Sequence, residues 1–158
     1  MMRKRFINLN STEASSDDQG CLDLERLAQV EITSEDAAHP IESALTAGSG
    51  AGWRAGRAGE QTVRLVFDEP QRLSRISLVF EEDSQTRTQE FVVRVSADNG
   101  RSYREVLRQQ FTFSPPNTTR EAEDYAVNLD SVTILELRVV PDISGGDAHA
   151  SLTRLRLA

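Results

Sequence analysis

The 158-residue sequence predicts an all-β fold: a two-sheet antiparallel sandwich of the jelly-roll kind, with about eight strands and one short helix. Three observations predict it. From Val63 onward apolar side chains alternate with polar ones at period two, the mark of strands with one face in a core. No helical crossover separates these runs, which excludes a parallel α/β sheet. The connections alternate between short and long, as they do when a sandwich carries its turns at one end and its larger loops at the other.

Taken in order, the first segment has no core to join. Residues 8 to 20 are small and polar with Leu9 as the only large apolar side chain, so burial cannot offset the entropy of ordering them. A mobile arm is expected over residues 1–21 and the folded domain over 22–158. Leu22, Leu24, Leu27, Val30 and Ile32 fit neither period, which predicts an irregular turn and then a short strand. Pro40 suits a first helical position, and Ile41, Ala44 and Leu45 share one face of a short helix.

The strands then follow one another. Val63, Leu65 and Phe67 share a face, as do Ile76, Leu78 and Phe80, and then Phe91, Val93 and Val95. Asp98-Asn99-Gly100 supplies the positive-φ residues of a tight hairpin, and a strand from about Tyr103 to Phe113 follows it. Tyr125, Val127 and Leu129 share a face, then Leu135, Leu137 and Val139, and finally Thr153, Leu155 and Leu157. Asp68 to Gln71, Asp98 to Arg101 and Asp130 to Ser131 read as tight turns, whereas 34–61, 81–88, 114–120 and 141–150 are long. Alternate connections of antiparallel strands share an end, so the long ones are expected to gather at one end as a contact surface.

Composition narrows the function classes. With 38% hydrophobic and 27% charged residues, the chain is ordinary globular material, and no apolar run approaches the roughly 20 residues that span a bilayer. The basic start is broken by Asn8, Asn10 and Ser11 where an export signal needs a continuous apolar block. Cys21 is the only cysteine, so no intrachain disulfide forms and a reducing, cytoplasmic setting is the simplest expectation. The net charge of -7 is unevenly placed: residues 11–50 contribute -8 and residues 51–158 only -2. A local basic face on the body is therefore compatible with overall acidity. Lys4 is the only lysine among 18 basic residues; a recognition surface and a GC-rich genome would both produce that bias.

No catalytic set assembles. His39 and His149 are the only histidines, and no serine lies in a nucleophile turn motif, so no enzyme is expected. The same two histidines lack the short ligand spacing of zinc sites. Glu81-Glu82-Asp83 reads as a solvated hairpin loop before it reads as a calcium site. The stretch Gly48 to Gly52 lacks the Gly-Lys-Ser/Thr ending of a nucleotide loop, so no cofactor is expected. Trp53-Arg54-Ala55-Gly56-Arg57 sets the only Trp beside two arginines; the ring is either a ligand platform or a plug over the core.

The run Ala37 to Leu45, then Gly52-Trp53-Arg54-Ala55, Val63 to Phe67, Val93 to Asp98 and Ala150 to Leu155 resembles the galactose-binding-like superfamily of discoidin, or coagulation factor 5/8 type C, domains. Residues 33–63 look more specifically like the N-terminal domain family of the X-ray repair cross-complementing scaffold protein of single-strand-break repair. The superfamily likeness implies an eight-stranded jelly roll that binds through loops at one end. Thr46-Ala47-Gly48 stands where many relatives carry an Asp-Gly calcium pair, so no metal site is expected. Loop lengths and resemblance together imply a carbohydrate or similar polar ligand, with His39, Trp53, Arg54, Arg57, Arg87, Arg120 and His149 as ligand-binding candidates. The alternative is a scaffold docking a protein or, ranked lower for the overall acidity, nicked DNA, through the same end or a sheet face carrying Arg64, Arg75 and Arg94.

Overall fold

The computed structural model describes residues 20–47 and 50–158; the expected arm, as far as residue 19, lies outside the described residues, as do Gly48 and Ser49. Period-two alternation becomes strand, but in longer pieces than the sequence predicts. The runs at 62–67 and 75–80 belong to one strand, β3 (Gln61–Glu81), and those at 125–129 and 135–139 to another, β6 (Arg120–Val140). The two pair antiparallel along their whole length, from Gln61 opposite Val139 to Glu81 opposite Arg120.

A straight strand of 21 residues would reach roughly 70 Å at about 3.3 Å per residue, far beyond a domain of this size, so the ribbon must bend. It bends where the register slips between Val66 and Arg75, opposite Ser131, whose φ is 55°. The bend lays the two ends of β3 over one another: Phe91 is paired with Val139, the partner of Gln61, and its ring centroid lies 5.1 Å from that of Phe80. Asp68 to Gln71 and Asp130 to Ser131 are thus bends of a continuous ribbon and not turns between separate strands. The same partner strand is present on both sides of each bend, so the ladder carries on through it. Only Asp98 to Arg101 is a hairpin, with Asn99 at φ 61° and Gly100 at φ 91°.

One layer consists of β1 (Ala28–Ile32), the first part of β3, the second part of β6, β4 (Arg87–Ser96) and β5 (Arg104–Phe113), in that order. The other holds the remaining parts of β3 and β6, with β8 (Arg154–Leu157) paired to Ile76–Val79. A separate two-stranded sheet joins β2 (Trp53–Ala58) to β7 (His149–Leu152). The sandwich therefore has eight strands, with β2 and β7 gained outside the expected strands while two expected pairs merge. Leu65, Ile76, Phe80, Phe91, Phe113 and Leu137 fill the space between layers and are below 2% exposed. Two four-residue helices, α1 (Leu24–Leu27) and α2 (Glu42–Leu45), close one side; α2 is the expected one, and α1 is the irregular turn before β1.

Candidate functional site

The bent ribbon brings the long connections together. Glu82 N–H donates to the Thr119 carbonyl, and the Arg87 guanidinium donates to the Pro141 carbonyl, tying three of the connections at one end. The fourth is anchored beside them by Trp53, the cross-strand neighbour of Leu152. Between them opens a cleft of about 350 Å³, lined by His39, Arg54, Glu81, Asp83, Ser151 and Thr153 among others.

Local hydrogen bonds build its walls. Asp36 N–H donates to the Arg54 carbonyl and Arg54 N–H to the His39 carbonyl, which holds the 36–39 turn against β2. The Asp36 carboxylate accepts the Ala38 N–H and faces His39 Nδ1 at 3.3 Å; these two contacts hold it below the ordinary carboxylate range. Gly52, at φ 86°, lets the chain pass so close to β7 that a Cβ there would lie 2.6 Å from the Leu152 carbonyl oxygen.

The opposite wall is acidic. Glu81 accepts the Thr153 hydroxyl at 3.1 Å. Burial acts to raise the Glu82 carboxyl, but the Arg87 guanidinium and the Ser84 N–H and hydroxyl hold it below the usual range. Asp83 and Arg54 are exposed and make no side-chain hydrogen bond among the described residues, Arg54 lying within the field of Asp36. The cleft thus presents the unengaged Asp83 carboxylate, the spare lone pairs of Glu81, a guanidinium fork and hydroxyls, the complement of a polyol whose hydroxyls both donate and accept. Among the described residues no group of three or more His, Cys, Asp or Glu is placed to hold a metal ion, and no helix is long and apolar enough to cross a membrane.

Of the seven candidates, the structure brings His39, Trp53 and Arg54 together. Trp53 is a plug: its ring is 1% exposed and its Nε1–H donates to the Ser34 carbonyl at 3.1 Å, so it offers no face for stacking. Arg57 is exposed on β2 outside the cleft lining. Arg87 is buried at 3% exposure, where it donates to Glu82, Gln89 and Pro141 and lies over the Phe113 ring; it is a tie between loops and cannot reach a ligand. His149 donates its Nδ1–H to the Ala55 carbonyl at 2.9 Å, clamping β7 to β2. Arg120 is exposed at the start of β6 and lines a neighbouring cavity instead. Ser151 and Thr153, absent from the seven candidates, and Glu81 and Asp83, which read in sequence as a solvated hairpin loop, join the cleft lining; their position at strand ends facing the long loops is the signal in the sequence.

The alternative sheet-face surface is neutralised. Glu31, Arg64, Glu136 and Arg94 stand directly opposite one another across four strands, with Arg64 bonded to both carboxylates and Arg94 to Glu136 at 2.6 Å. Arg75 is paired with Asp124 at 2.7 Å in the other layer.

Layer order and bent ribbon make a two-sheet antiparallel jelly-roll sandwich, a fold similar to that of family 32 carbohydrate-binding modules among the solved structures. No protein-family model and no curated protein matches the chain. One similar structure is the family 32 module of NanJ from C. perfringens in complex with galactose, at 13% identity and TM-score 0.63, covering 87% of this chain and 96% of that one. Another, from Clostridium perfringens in complex with GalNAc-β-1,3-galactose, has 13% identity and TM-score 0.64, over 87% and 98% of the two chains. The family 32 module of AlyQ in complex with 4,5-unsaturated mannuronic acid has 15% identity and TM-score 0.60, over 84% and 95%. At these identities the likeness is one of fold.

Proposed function

We propose that this chain is a non-catalytic carbohydrate-binding module that holds a sugar in the loop-end cleft. The observation that carries this reading is the cleft itself, where Arg54, Asp83, Glu81 and Thr153 converge on one cavity with hydrogen-bonding capacity to spare. Similar folds hold galactose or GalNAc-β-1,3-galactose, which supports a galacto-configured ligand. In this reading Arg54 donates its fork to adjacent sugar hydroxyls, while Asp83 and Glu81 accept hydroxyl protons. With Trp53 buried, stacking contributes little, so affinity rests on polar contacts and is expected to be modest.

Titration calorimetry with galactose and GalNAc tests it. Binding should be nearly indifferent to added salt, and Arg54→Ala or Asp83→Ala should weaken it by roughly tenfold. The repair-scaffold alternative draws on the resemblance over residues 33–63 and predicts the reverse pattern: no sugar binding, and affinity for nicked duplex that falls steeply as salt rises. The pairing of Arg64, Arg75 and Arg94 with carboxylates leaves that alternative without its sheet-face basic patch.

A further inference from the structure

Beyond the cleft, the outer face of the second layer carries an arginine-walled furrow. Its floor is Ser77, Val79 and Ala122, and its walls include Arg75, Arg120, Arg154 and Arg156. The strand register explains the convergence: Arg154 stands opposite Val79 and Arg156 opposite Ser77 on one side, and Arg120 stands opposite Glu81 on the other. Arg156 is fixed in the wall by donating to the carbonyls of Ala44, Leu155 and Thr46, and Arg75 by its pair with Asp124. Arg120 is exposed, with no side-chain partner among the described residues.

The furrow runs into the cleft. An intermediate cavity shares Glu81 and Thr153 with the cleft and shares Arg120, Arg154 and Arg156 with the furrow. From Glu81, opposite Arg120, to Val79, opposite Arg154, the path along β3 is roughly 7 Å at about 3.3 Å per residue, so these arginines lie about one sugar ring from the cleft. Four arginines against the carboxylates of Glu123 and Asp124 leave the furrow lining with a surplus of positive charge, a local inversion of sign in a chain of net charge -7.

We propose that this furrow is a second subsite for an anionic group carried on the same glycan, a uronate carboxylate or a sulfate ester, held by Arg120 and Arg154 while a neutral sugar of the chain occupies the cleft. It rests on the sugar-binding reading of the cleft. Guanidinium forks match the planar carboxylate and the sulfate oxygens. A nucleic acid fits less well: Glu81 and Asp83 at the cleft end repel phosphodiesters, and no aromatic ring lines the furrow for bases to stack on.

The test is calorimetry on the full chain at low ionic strength with galactose, tetragalacturonate, its methyl ester and a sulfated galactan tetrasaccharide. The acid or the sulfated probe should bind roughly tenfold more tightly than the neutral ester, and which of them does so names the anion. Arg120→Gln should remove most of that advantage and Arg120→Gln with Arg154→Gln all of it, with galactose affinity unchanged and the melting temperature of Arg120→Gln preserved. Equal affinity for ester, acid and sulfate, or an advantage that survives in the double variant, overturns the proposal. So does oligothymidylate binding as tightly as tetragalacturonate through Arg120. Failure of galactose to bind while tetragalacturonate still requires Arg120 removes the cleft reading and upholds the furrow.

Discussion

Two buried side chains show how position decides chemistry at the scale of single residues. Trp53, the only Trp, is 1% exposed, so its emission should be that of a buried indole and should hardly change when sugar binds. Trp53→Ala should cost about 3–5 kcal/mol in a urea melt, the range for emptying an aromatic core site. Glu121 is likewise 1% exposed, on the inward face of β6, where one carboxyl oxygen accepts Gln89 Nε2–H at 2.9 Å. Burial, and then the neighbouring Glu123, push its carboxyl up to about 8. Between about 4.5 and about 8 the folded chain keeps a proton that the unfolded chain has lost, so stability falls as pH rises through that window. Glu121→Gln removes the titrating group. Urea midpoints of the variant should decline less than wild type from pH 5 to pH 8 and lie higher at pH 8; parallel curves would refute the assignment. Asp98 behaves oppositely: the Ser102 hydroxyl and N–H and the Ser96 hydroxyl hold it down to about 2, so its contribution is lost only as pH falls toward that value.

Among the elements, the ribbon of β3 and β6 carries the most information. Ser131 takes a left-handed conformation at φ 55° where β6 bends, a position that costs a side chain steric energy that glycine does not pay. Ser131→Gly should therefore raise stability by roughly 0.5–1 kcal/mol, less whatever the freer unfolded chain takes back. Gly52→Ala should do the reverse, because its Cβ would meet the Leu152 carbonyl at 2.6 Å, and the urea midpoints of the two variants should move in opposite directions. Alternation at 63–67, 76–80, 91–95 and 135–139 was legible because each run buries one face in a shared core. The bend was not, since Asp68-Glu69-Pro70-Gln71 has the composition of a hairpin turn and only the partner strand shows that the ladder continues. β2 escaped because only Trp53 and Ala55 of its six residues are buried, too few to establish a period.

For the molecule as a whole, the gathering of long connections at one end was legible even with the ribbon misjudged, because folding the ribbon back restores the up-and-down order that separate strands would have had. The candidate site was legible in part. His39, Trp53 and Arg54 lie in one connection, and proximity in sequence served for proximity in space. Arg87 was misassigned although its signal was present: it shares a face with Gln89, Phe91, Val93 and Val95, all buried. The arginine furrow depends on β8 meeting β3 opposite Arg120, a juxtaposition set by sheet order and not by spacing along the chain. Net charge concealed it, since a total of -7 says nothing of how charges sort between faces. The ribbon also governs assembly in time. Residues 61–81 must wait for 120–140 before either layer can close, so most of the chain has to emerge before the core can exist. Such distant pairing implies a slow search followed by all-or-none closure, with both layers melting as one unit.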